Sequence, residues 1–314
     1  MIEVKVQKNW RSCMSLYEKL CDILGEKCVF ADEPMSRHTT FRIGGPADYF
    51  AVPCDTEGVK KIIGLCKEEE VPYYILGNGS NLLVGDKGYR GVVIQIYKNM
   101  SGIHAEGNRI YAQAGALLSR IAAEALLHSL KGFEFASGIP GTLGGAVMMN
   151  AGAYGGEMKQ VLESVAVMTP EGEVKTLRED ELELGYRTSI VAKKNYIVLE
   201  AVIRLEPGDA GDIRSYMEEL KEKRVSKQPL EYPSAGSTFK RPEGYFAGRL
   251  IEDAGLRGFQ VGNAQVSQKH CGFVINRGGA TAAEVISLME QVADKVEEVS
   301  GVRLEPEVKR IGEF

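Results

Sequence analysis

Three short polar stretches carry the residue types that could bind an anion or move a proton. The GYRTS stretch places Arg187 between a tyrosine and two hydroxyl side chains. In SAGSTFKRP, Ser237 follows a flexible Ala-Gly step and precedes two cationic side chains, and in LEPEVKRIG Glu307 follows a proline. A guanidinium can hold a carboxylate in a fork, and serine and glutamate can exchange protons when their surroundings assist. Taken singly, each stretch is more typical of a surface turn or a salt bridge.

A serine hydrolase is a weak interpretation of these residues. The chain has no G-x-S-x-G motif, and nothing in the sequence pairs a particular histidine with Ser237. The four histidines are dispersed, so we also expect no histidine-rich metal site.

Two glycine-rich segments predict backbone that approaches a ligand closely. The second glycine stretch (residues 136–157, ASGIPGTLGGAVMMNAGAYGGE) holds seven glycines and only one formal charge. Its Gly-Ile-Pro-Gly turn precedes a possible helix, an arrangement that suits a phosphate, whereas the alternative is a glycine-rich surface loop. The first glycine loop (residues 76–84, LGNGSNLLV) follows a predicted strand, and its alternative is a tight β-turn. Neither segment is a standard Rossmann or P-loop motif, and together they predict one extended ligand with a pyrophosphate.

Composition places the chain among ordinary globular proteins. Its 314 residues suffice for two or three domains, and its net charge of −5 gives no general case for nucleic acid binding. We find no signal-peptide pattern and no apolar run long enough to span a bilayer. The six cysteines form no C-x-x-C pair and predict reduced thiols. We therefore expect a cytoplasmic protein without membrane or nucleic acid partners, and we expect a monomer.

Hydrophobic periodicity predicts three consecutive units, 1–97, 98–207 and 208–314. The first unit alternates helices and strands, the second is mixed α+β with a hairpin through Pro170-Glu171-Gly172, and the third ends in a long helix. Predicted helices cover residues 12–25, 57–69, 117–127, 213–225 and 282–299. Predicted strands cover residues 49–52, 73–76, 92–96, 109–114, 161–169, 173–177, 196–205 and 273–276.

Taken in order, the motifs TTFRIGGPA, LGNGSNLLV, GIPGTLGGAVMMNAGAYGGE, GYRTS, SAGSTFKRP and LEPEVKRIG closely resemble the UDP-N-acetylenolpyruvoylglucosamine reductase (UDP-N-acetylmuramate dehydrogenase) family, from about Arg37 to the C-terminus. The resemblance implies a flavoenzyme of peptidoglycan precursor synthesis that uses NADPH and FAD to reduce UDP-N-acetylglucosamine enolpyruvate to UDP-N-acetylmuramate. It also implies an α+β architecture, with an FAD-binding fold of the vanillyl-alcohol-oxidase type in two subdomains and a C-terminal α/β substrate domain.

The resemblance implies a site residue by residue. The implied catalytic set is Arg187, which would hold the substrate carboxylate, Ser237, which would deliver a proton to C2, and Glu307, which would act protonated or would position Arg187 when ionised. The implied cofactor-binding residues are Gly77, Asn78, Gly79, Ser80, Asn81, Leu82, Gly138, Ile139, Pro140, Gly141, Thr142, Gly144, Gly145, Ala146, Asn150, Ala151, Gly152, Ala153 and Arg224. The implied substrate-binding residues are Tyr154, Lys240, Arg241 and Gln265.

The spacing from Arg187 to Ser237 indicates the shorter class of the family. The 49 intervening residues lack the tyrosine-bearing insert of the longer class, so another residue must supply its substrate-closing contact, and Tyr154 is the candidate. Two alternatives stay open. One is another FAD oxidoreductase of the same fold with covalent flavin on His38 or His104, and the other is a nucleotide-sugar-binding protein that has lost catalysis.

Overall fold

The computed structural model of the protein describes residues 14–314, so the start of the predicted first helix lies outside the described residues. The first unit contains a four-stranded sheet in the order β1-β2-β5-β3, with β5 parallel to β2 and β3. Its elements are α1 (Leu16–Leu24), β1 (Val29–Pro34), β2 (Pro46–Ala51), α2 (Thr56–Glu68), β3 (Tyr73–Leu76), β4 (Leu82–Val84) and β5 (Tyr89–Gln95).

Local capping explains where the first two helices begin. The Ser15 hydroxyl accepts a hydrogen bond from the Glu18 amide, and the Glu18 carboxylate accepts one from the Ser15 amide, which forms a capping box for α1. Asp55 caps α2 in a similar way, because its side chain accepts from the Gly58 amide at 2.7 Å. The predicted helices over residues 12–25 and 57–69 are thus confirmed in the described part of the chain.

The second unit is built on a five-stranded antiparallel sheet in the order β12-β11-β13-β7-β6. The predicted hairpin through residues 170–172 joins β11 to β12 and is confirmed. The elements of this unit are β6 (Ile103–Glu106), β7 (Arg109–Gln113), α3 (Leu118–Leu127), β8 (Leu130–Lys131), α4 (Leu143–Met148), β9 (Gly152–Ala153), β10 (Gly156–Glu157), β11 (Leu162–Met168), β12 (Val174–Arg178), α5 (Ile190–Lys194), β13 (Ile197–Arg204) and β14 (Glu206–Pro207).

The third unit contains an antiparallel sheet in the order β15-β18-β17-β16, with a long C-terminal helix packed against it. Its elements are α6 (Ala210–Lys227), β15 (Ser234–Ser237), α7 (Ala247–Asp253), β16 (Gln260–Val261), β17 (Ala264–Val266), β18 (Phe273–Asn276), α8 (Ala282–Ser300) and β19 (Lys309–Ile311). The predicted boundary near residue 208 differs from the packing, because α6 lies against α3 and β8 of the second unit.

The third unit is attached to the first by several independent contacts. Strand β19 pairs in parallel with β4, and Asp86, just after β4, accepts hydrogen bonds from the Ala282 and Ala283 amides at 2.7 and 2.9 Å, at the start of α8. Buried Phe41 and Ile43, from the TTFRIGGPA motif, belong to the hydrophobic core of the third unit. These contacts make the third unit and the first glycine loop parts of one packed body.

Candidate functional site

A tight turn presents Arg187. Gly185 and Thr188 exchange backbone hydrogen bonds of 3.1 and 3.3 Å, and Arg187 lies between them with φ +54°. Left-handed backbone is unfavourable for a long side chain, and such strain persists only where surrounding contacts impose it. Two contacts do so here, since the Asn150 amide nitrogen donates to the Gly185 carbonyl at 3.2 Å and the fully buried Ser189 hydroxyl donates to the Met148 carbonyl at 2.7 Å.

Backbone pairing in the third unit brings Ser237 and Glu307 together. The Glu307 amide donates to the Thr238 carbonyl at 2.8 Å, and the Lys240 amide donates to the Glu305 carbonyl at 2.8 Å. Gly236, with φ +76°, lies within the bulge that separates Ser234 from Ser237 on β15. Within residues 14–314 the Ser237 hydroxyl makes no hydrogen bond, so it is available to a ligand.

Arg187 and Glu307 form an ion pair across the boundary between the second and third units. The Arg187 Nε and Glu307 Oε1 atoms lie 2.8 Å apart, and the Glu307 side chain is 8% exposed. This separation is that of a hydrogen bond, yet Nε is buried without a well-directed acceptor, so we treat the contact as electrostatic rather than as an aligned hydrogen bond. Burial raises the pKa of Glu307, and the neighbouring Arg187 partly opposes that rise. The geometry is compatible with both predicted roles of Glu307.

A cavity of about 430 Å³ contains all three predicted catalytic residues. Arg241 is the predicted substrate-binding residue that also lines it. Sequence reasoning did not single out several other residues of its wall, among them Tyr186, Phe246, Arg249, Arg257, Lys269 and His270. For the last four of these the only signal was the density of cations in AGRLIEDAGLRG and QKHCG, which by itself indicates no more than a charged surface.

The structure places the other predicted substrate-binding residues elsewhere. Tyr154 occupies the turn between β9 and β10 with φ +53°, close to Lys223 and Arg224, and it does not line the cavity. The Lys240 ammonium pairs with Glu305 at 2.8 Å. The Gln265 amide nitrogen donates to the Gly258 carbonyl and to Gln260, both at 3.1 Å, and thus supports the β16–β17 hairpin. Of the four predicted substrate-binding residues, Arg241 is therefore the one that lines the cavity with Ser237.

The two glycine-rich segments meet face to face. The Asn78 amide nitrogen donates to the Pro140 carbonyl at 2.8 Å, and a Cβ on Gly77 would lie 2.3 Å from the Thr142 hydroxyl. Gly79 has φ +63°, and a Cβ there would lie 2.2 Å from the His38 carbonyl oxygen. The first glycine loop therefore favours glycine at Gly77 because of a neighbouring side chain and requires it at Gly79 because of neighbouring backbone and a positive φ, which composition did not reveal.

A second cavity, of about 380 Å³, opens beside this junction and fits a ligand with an aromatic group and a phosphate. Gly77, Thr142, Gly144 and Gly145 line one side, and the remaining wall includes Tyr73, Tyr74 and Tyr196. Small glycine surfaces beside aromatic rings suit a nucleotide cofactor such as FAD. Helix α4 has only six residues, so the predicted helix-dipole contribution to phosphate binding is small.

Arg224 is positioned to add a positive charge to the second glycine stretch. It lies in the last turn of α6, and a Cβ on Gly138 would lie 3.1 Å from the Arg224 Cδ atom. Burial lowers the pKa of Arg224, and within the described residues no carboxylate pairs with it. An unpaired, half-buried cation beside a glycine-rich backbone suits the cofactor-binding role that was predicted for Arg224.

Three residues predicted to bind the cofactor are engaged in supporting the fold. The Asn81 amide nitrogen donates to the Glu307 carbonyl at 3.3 Å, and the Asn81 carbonyl accepts from the Lys309 amide at 3.1 Å. Leu82 is buried within β4. Asn150 is also buried, and its side chain contacts Glu157, Lys159 and Gly185. For these residues the described contacts point to positioning rather than to direct contact through the side chain.

The remaining residues of the predicted cofactor set lie in or beside the two glycine-rich segments. Ser80 and Gly141 face each other, since a Cβ on Gly141 would lie 3.8 Å from the Ser80 hydroxyl oxygen. Ala146 and Ala151 are buried, whereas Ile139, Gly152 and Ala153 are half-buried. The structure thus gathers the predicted cofactor residues around one junction.

Neither histidine that could carry covalent flavin lines the two cavities. His38 contacts Glu33 at 2.9 Å and stacks on Phe50 with ring centroids 4.0 Å apart. His104 stacks on Tyr111 at 4.7 Å on the sheet of the second unit. A larger concavity of about 1510 Å³ lies beside β11 and β14, and its mixed-charge wall contains none of the predicted site residues.

Two kinds of feature are absent from the part of the chain that the structure describes. No group of three or more histidine, cysteine, aspartate or glutamate side chains between residues 14 and 314 is arranged to hold a metal ion. Over the same residues, none of the helices combines the length and apolar character needed to cross a bilayer.

Comparison with known proteins matches both parts of this architecture. Residues 47–178 match the FAD binding domain family, and residues 228–311 match the C-terminal domain family of UDP-N-acetylenolpyruvoylglucosamine reductase. UDP-N-acetylenolpyruvoylglucosamine reductase of Agathobacter rectalis is 60% identical over 298 residues, which cover 91% of this chain and 95% of that protein. The protein of the same name from Caldanaerobacter subterraneus subsp. tengcongensis is 53% identical over 298 residues, with 95% and 98% covered.

A solved structure agrees with these relatives. The crystal structure of UDP-N-acetylenolpyruvylglucosamine reductase from Thermus caldophilus superposes with a TM-score of 0.77 at 35% identity, over 89% of this chain and 97% of that chain. The predicted α+β fold, with an FAD-binding part and a C-terminal domain, is confirmed. The chain belongs to the UDP-N-acetylenolpyruvoylglucosamine reductase family.

Proposed function

We propose that this protein reduces UDP-N-acetylglucosamine enolpyruvate to UDP-N-acetylmuramate with NADPH, through FAD, and that Arg187, Ser237 and Glu307 act on the enolpyruvyl group. The observation that carries the proposal is the meeting of these three residues in one cavity of a chain that belongs to the reductase family. The reaction is a step in the synthesis of peptidoglycan precursors.

FAD, when bound, supplies the two-electron chemistry that reduces the carbon–carbon double bond. The residues proposed to hold it are those at the junction of the first glycine loop and the second glycine stretch, together with Arg224. Backbone amides in these segments and the Arg224 guanidinium suit a pyrophosphate, and the apolar and aromatic wall of the adjoining cavity suits a ring system.

Arg187 is proposed to hold the substrate carboxylate and to stabilise the negative charge that builds on it during reduction. A guanidinium stays charged at any physiological pH and can offer two parallel donors to a carboxylate. Because the turn and the neighbouring Glu307 fix the orientation of Arg187 before substrate binds, little reorganisation is needed in the transition state.

Ser237 is proposed to deliver a proton to C2 of the substrate, and water then returns a proton to the hydroxyl. A serine hydroxyl is a weak acid, so surrounding positive charge must assist it. Arg187 and Arg241 line the same cavity and supply such charge. Glu307 is proposed to orient Arg187 when ionised.

Reduction of the flavin by NADPH and its reoxidation by substrate can be measured separately, and together they test the proposal. The FAD-loaded Ser237→Ala protein should be reduced by NADPH at the wild-type rate under anaerobic conditions. Its reoxidation by UDP-N-acetylglucosamine enolpyruvate should be slower by a factor of about 10² to 10⁴, the range for losing a positioned proton donor. Equal reoxidation rates in the two proteins would remove Ser237 from the mechanism, and wild-type protein that is never reoxidised by this substrate would refute the proposed reaction.

The alternatives are less well supported. Covalent flavin on His38 or His104 is disfavoured because both rings are stacked on other side chains outside the two cavities. Release of flavin into the supernatant after acid precipitation would exclude a covalent link. Loss of catalysis is disfavoured because Arg187, Ser237 and Glu307 are all present and adjacent to one cavity.

A further inference from the structure

Two cysteines of the first unit lie side by side near the surface. Cys28 directly precedes β1 and is half-buried, whereas Cys54 lies three residues after β2 and is exposed. The Val52 amide donates to the Cys28 carbonyl at 2.9 Å, which extends the antiparallel pairing of β1 and β2 beyond Val29 and Ala51. Because opposite residues share a face of a sheet, as do residues two positions apart on one strand, this pairing directs Cys54 towards the face that carries Cys28.

Packing around the pair holds the two chain segments together. A Cβ on Gly58, in the first turn of α2, would lie 3.1 Å from the Leu24 Cδ2 atom and 3.3 Å from the Pro53 Cβ atom. The end of α1, the residue before Cys54 and the start of α2 therefore lie against one another. The Asn99 side-chain amide also donates to the Cys54 sulfur at 3.5 Å.

The Cys28 and Cys54 thiols are in hydrogen-bonding contact. Burial raises the pKa of the Cys28 thiol, and the neighbouring Cys54 thiol raises it further. The exposed Cys54 is the sulfur that an oxidant in solution meets first. Since the two sulfur atoms are already neighbours, rearrangement of the side chains is enough to join them.

We propose that Cys28 and Cys54 form a reversible oxidation site, at which a peroxide converts the two thiols to a disulfide. The Cys54 thiolate attacks the peroxide, so that an S–O bond forms, the O–O bond breaks and the sulfur is oxidised to a sulfenic acid. The Cys28 sulfur then loses its proton and attacks the Cys54 sulfur, so that the S–S bond forms, the S–O bond breaks and hydroxide leaves. The two thiol protons are taken up by the departing oxygens, and two thiols with one hydrogen peroxide give one disulfide and two waters.

Reduction reverses this modification. A small dithiol attacks the exposed Cys54 sulfur, forms a mixed disulfide and releases Cys28, and its second thiol then releases Cys54.

The disulfide would close a loop over residues 28–54, which contains β1, β2 and the TTFRIGGPA motif. The Thr40 amide of this motif donates to the Gly79 carbonyl of the first glycine loop at 3.2 Å, and the Thr40 hydroxyl donates to the Ser234 carbonyl of the third unit at 2.7 Å. Neither cysteine lines the cavity beside the glycine-rich segments or the cavity that holds Ser237. We therefore expect the disulfide to stabilise the fold by restricting the unfolded chain and to leave FAD bound.

Peptide mapping of the FAD-loaded, full-length protein tests the site. After exposure to hydrogen peroxide, alkylation of the remaining thiols and digestion with trypsin, the wild type should give peptide 28–37 linked to peptide 43–60, and dithiothreitol should separate them. The linked peptides should be absent from Cys28→Ser and Cys54→Ser. In Cys28→Ser the sulfenic acid lacks its thiol partner, so dimedone should label Cys54 about tenfold more than in the wild type.

Cys21→Ser is the matched control. Cys21 is half-buried like Cys28 and lies in the same unit, but its side chain contacts the Tyr17 hydroxyl. This variant should form the link between peptides 28–37 and 43–60 as the wild type does.

Urea denaturation provides the second measurement. The oxidised wild type should unfold at a higher urea concentration than the reduced protein, and peroxide should cause no such shift in Cys54→Ser. Absence of the linked peptides from the oxidised wild type, a link from Cys54 to another cysteine in place of Cys28, or a lower urea midpoint after oxidation would each overturn the inference.

Discussion

The two glycine-rich segments face the same cavity, but each is tied to a different part of the catalytic set. The first glycine loop leads into β4, which pairs with β19, and its Asn81 contacts the Glu307 carbonyl. In the second glycine stretch, Asn150 lies two residues after the end of α4 and holds the turn of Arg187 through the Gly185 carbonyl. Arg187 and Glu307 then meet at 2.8 Å. Each segment therefore has two tasks, since it borders the proposed cofactor site and also positions one half of the ion pair.

The difference between the segments lies in how the backbone is held. In the first glycine loop, Gly79 is required by contact with neighbouring backbone, the His38 carbonyl. The second glycine stretch also has a crowded glycine, since a Cβ on Gly156 would lie 2.5 Å from the Phe135 ring, but a side chain positions the Arg187 turn, because buried Asn150 reaches three neighbours. We therefore expect Gly79 to be sensitive to added volume and Asn150 to be sensitive to loss of hydrogen bonds.

Gly79→Ala should have the largest effect. The new Cβ would meet the His38 carbonyl oxygen at 2.2 Å in a residue with φ +63°. Left-handed strain and overpacking together should lower the free energy of unfolding by about 2–5 kcal/mol, and the purified protein should lose FAD. Chemical denaturation and flavin absorbance would measure this.

Gly107→Ala is the control for the Gly79 variant. Gly107 has φ +59° but no neighbour within 4 Å of a Cβ, so its replacement should cost about 1–2 kcal/mol of stability and leave FAD bound. Equal losses of unfolding free energy and of bound FAD in the two variants would show that contact with the His38 carbonyl is unimportant.

Asn150→Ala should have the next largest effect, on both stability and the oxidative half-reaction. Removing the amide leaves the Lys159 amide without a partner and takes one of two donors from the Gly185 carbonyl, which should cost about 1–3 kcal/mol. Displacement of Arg187 should slow reoxidation by substrate about 10- to 100-fold while FAD stays bound.

Asn150→Gly separates backbone strain from hydrogen bonding in this comparison. Asn150 has φ +43°, which glycine adopts more easily than alanine. The glycine variant should be more stable than the alanine variant and should reoxidise just as slowly. Normal reoxidation in either variant would mean that Asn150 does not position the Arg187 turn.

The Glu307→Gln variant tests the Arg187–Glu307 ion pair through the pH dependence of the free energy of unfolding. Burial raises the folded-state pKa of Glu307. In the wild type, the protonated carboxyl therefore contributes its full stabilisation below the unfolded-state pKa of about 4.5, and this contribution is lost as pH rises through the folded-state pKa. Glutamine does not titrate. The stability of the variant relative to wild type should therefore rise with pH, by about 1.4 kcal/mol for each pH unit of that window.

Urea denaturation at several pH values from about 4 to about 8 would measure this trend. A relative stability of Glu307→Gln that falls as pH rises would contradict it, and would show that attraction to Arg187 outweighs burial.

Asn81→Ala should have the smallest effect. Its side chain makes a long hydrogen bond of 3.3 Å to the Glu307 carbonyl, while the β4–β19 backbone pairing remains. We expect a stability loss of about 0.5–1.5 kcal/mol and a change in reoxidation rate of only a few-fold. Asn99→Ala, at an exposed asparagine whose side chain contacts Cys54 at 3.5 Å, is the control and should match wild type. A larger effect of Asn81→Ala on reoxidation than that of Asn150→Ala would reverse the comparison.

The amino-acid sequence by itself determined most of the local structure and the identity of the family. Helical periodicity placed α1 in its described part, and α2, α3, α6 and α8, within a few residues, because this signal is local. Ordered motifs identified the family and the three residues that line the cavity around Ser237. Short strands such as β4, β15 and β19 were missed because three or four residues carry too little periodicity.

Only the tertiary structure decided which residues act together. Arg187 and Glu307 are 120 positions apart in the sequence, and no local pattern relates them. Lys240 and Gln265 had the chemistry for substrate binding but contact other partners, and Tyr154 lies outside the cavity, whereas Phe246 carried no signal and lines it. Residue types and motifs are properties of the chain, whereas the pairing of distant charges depends on long-range backbone packing that the sequence expresses only through the complete fold.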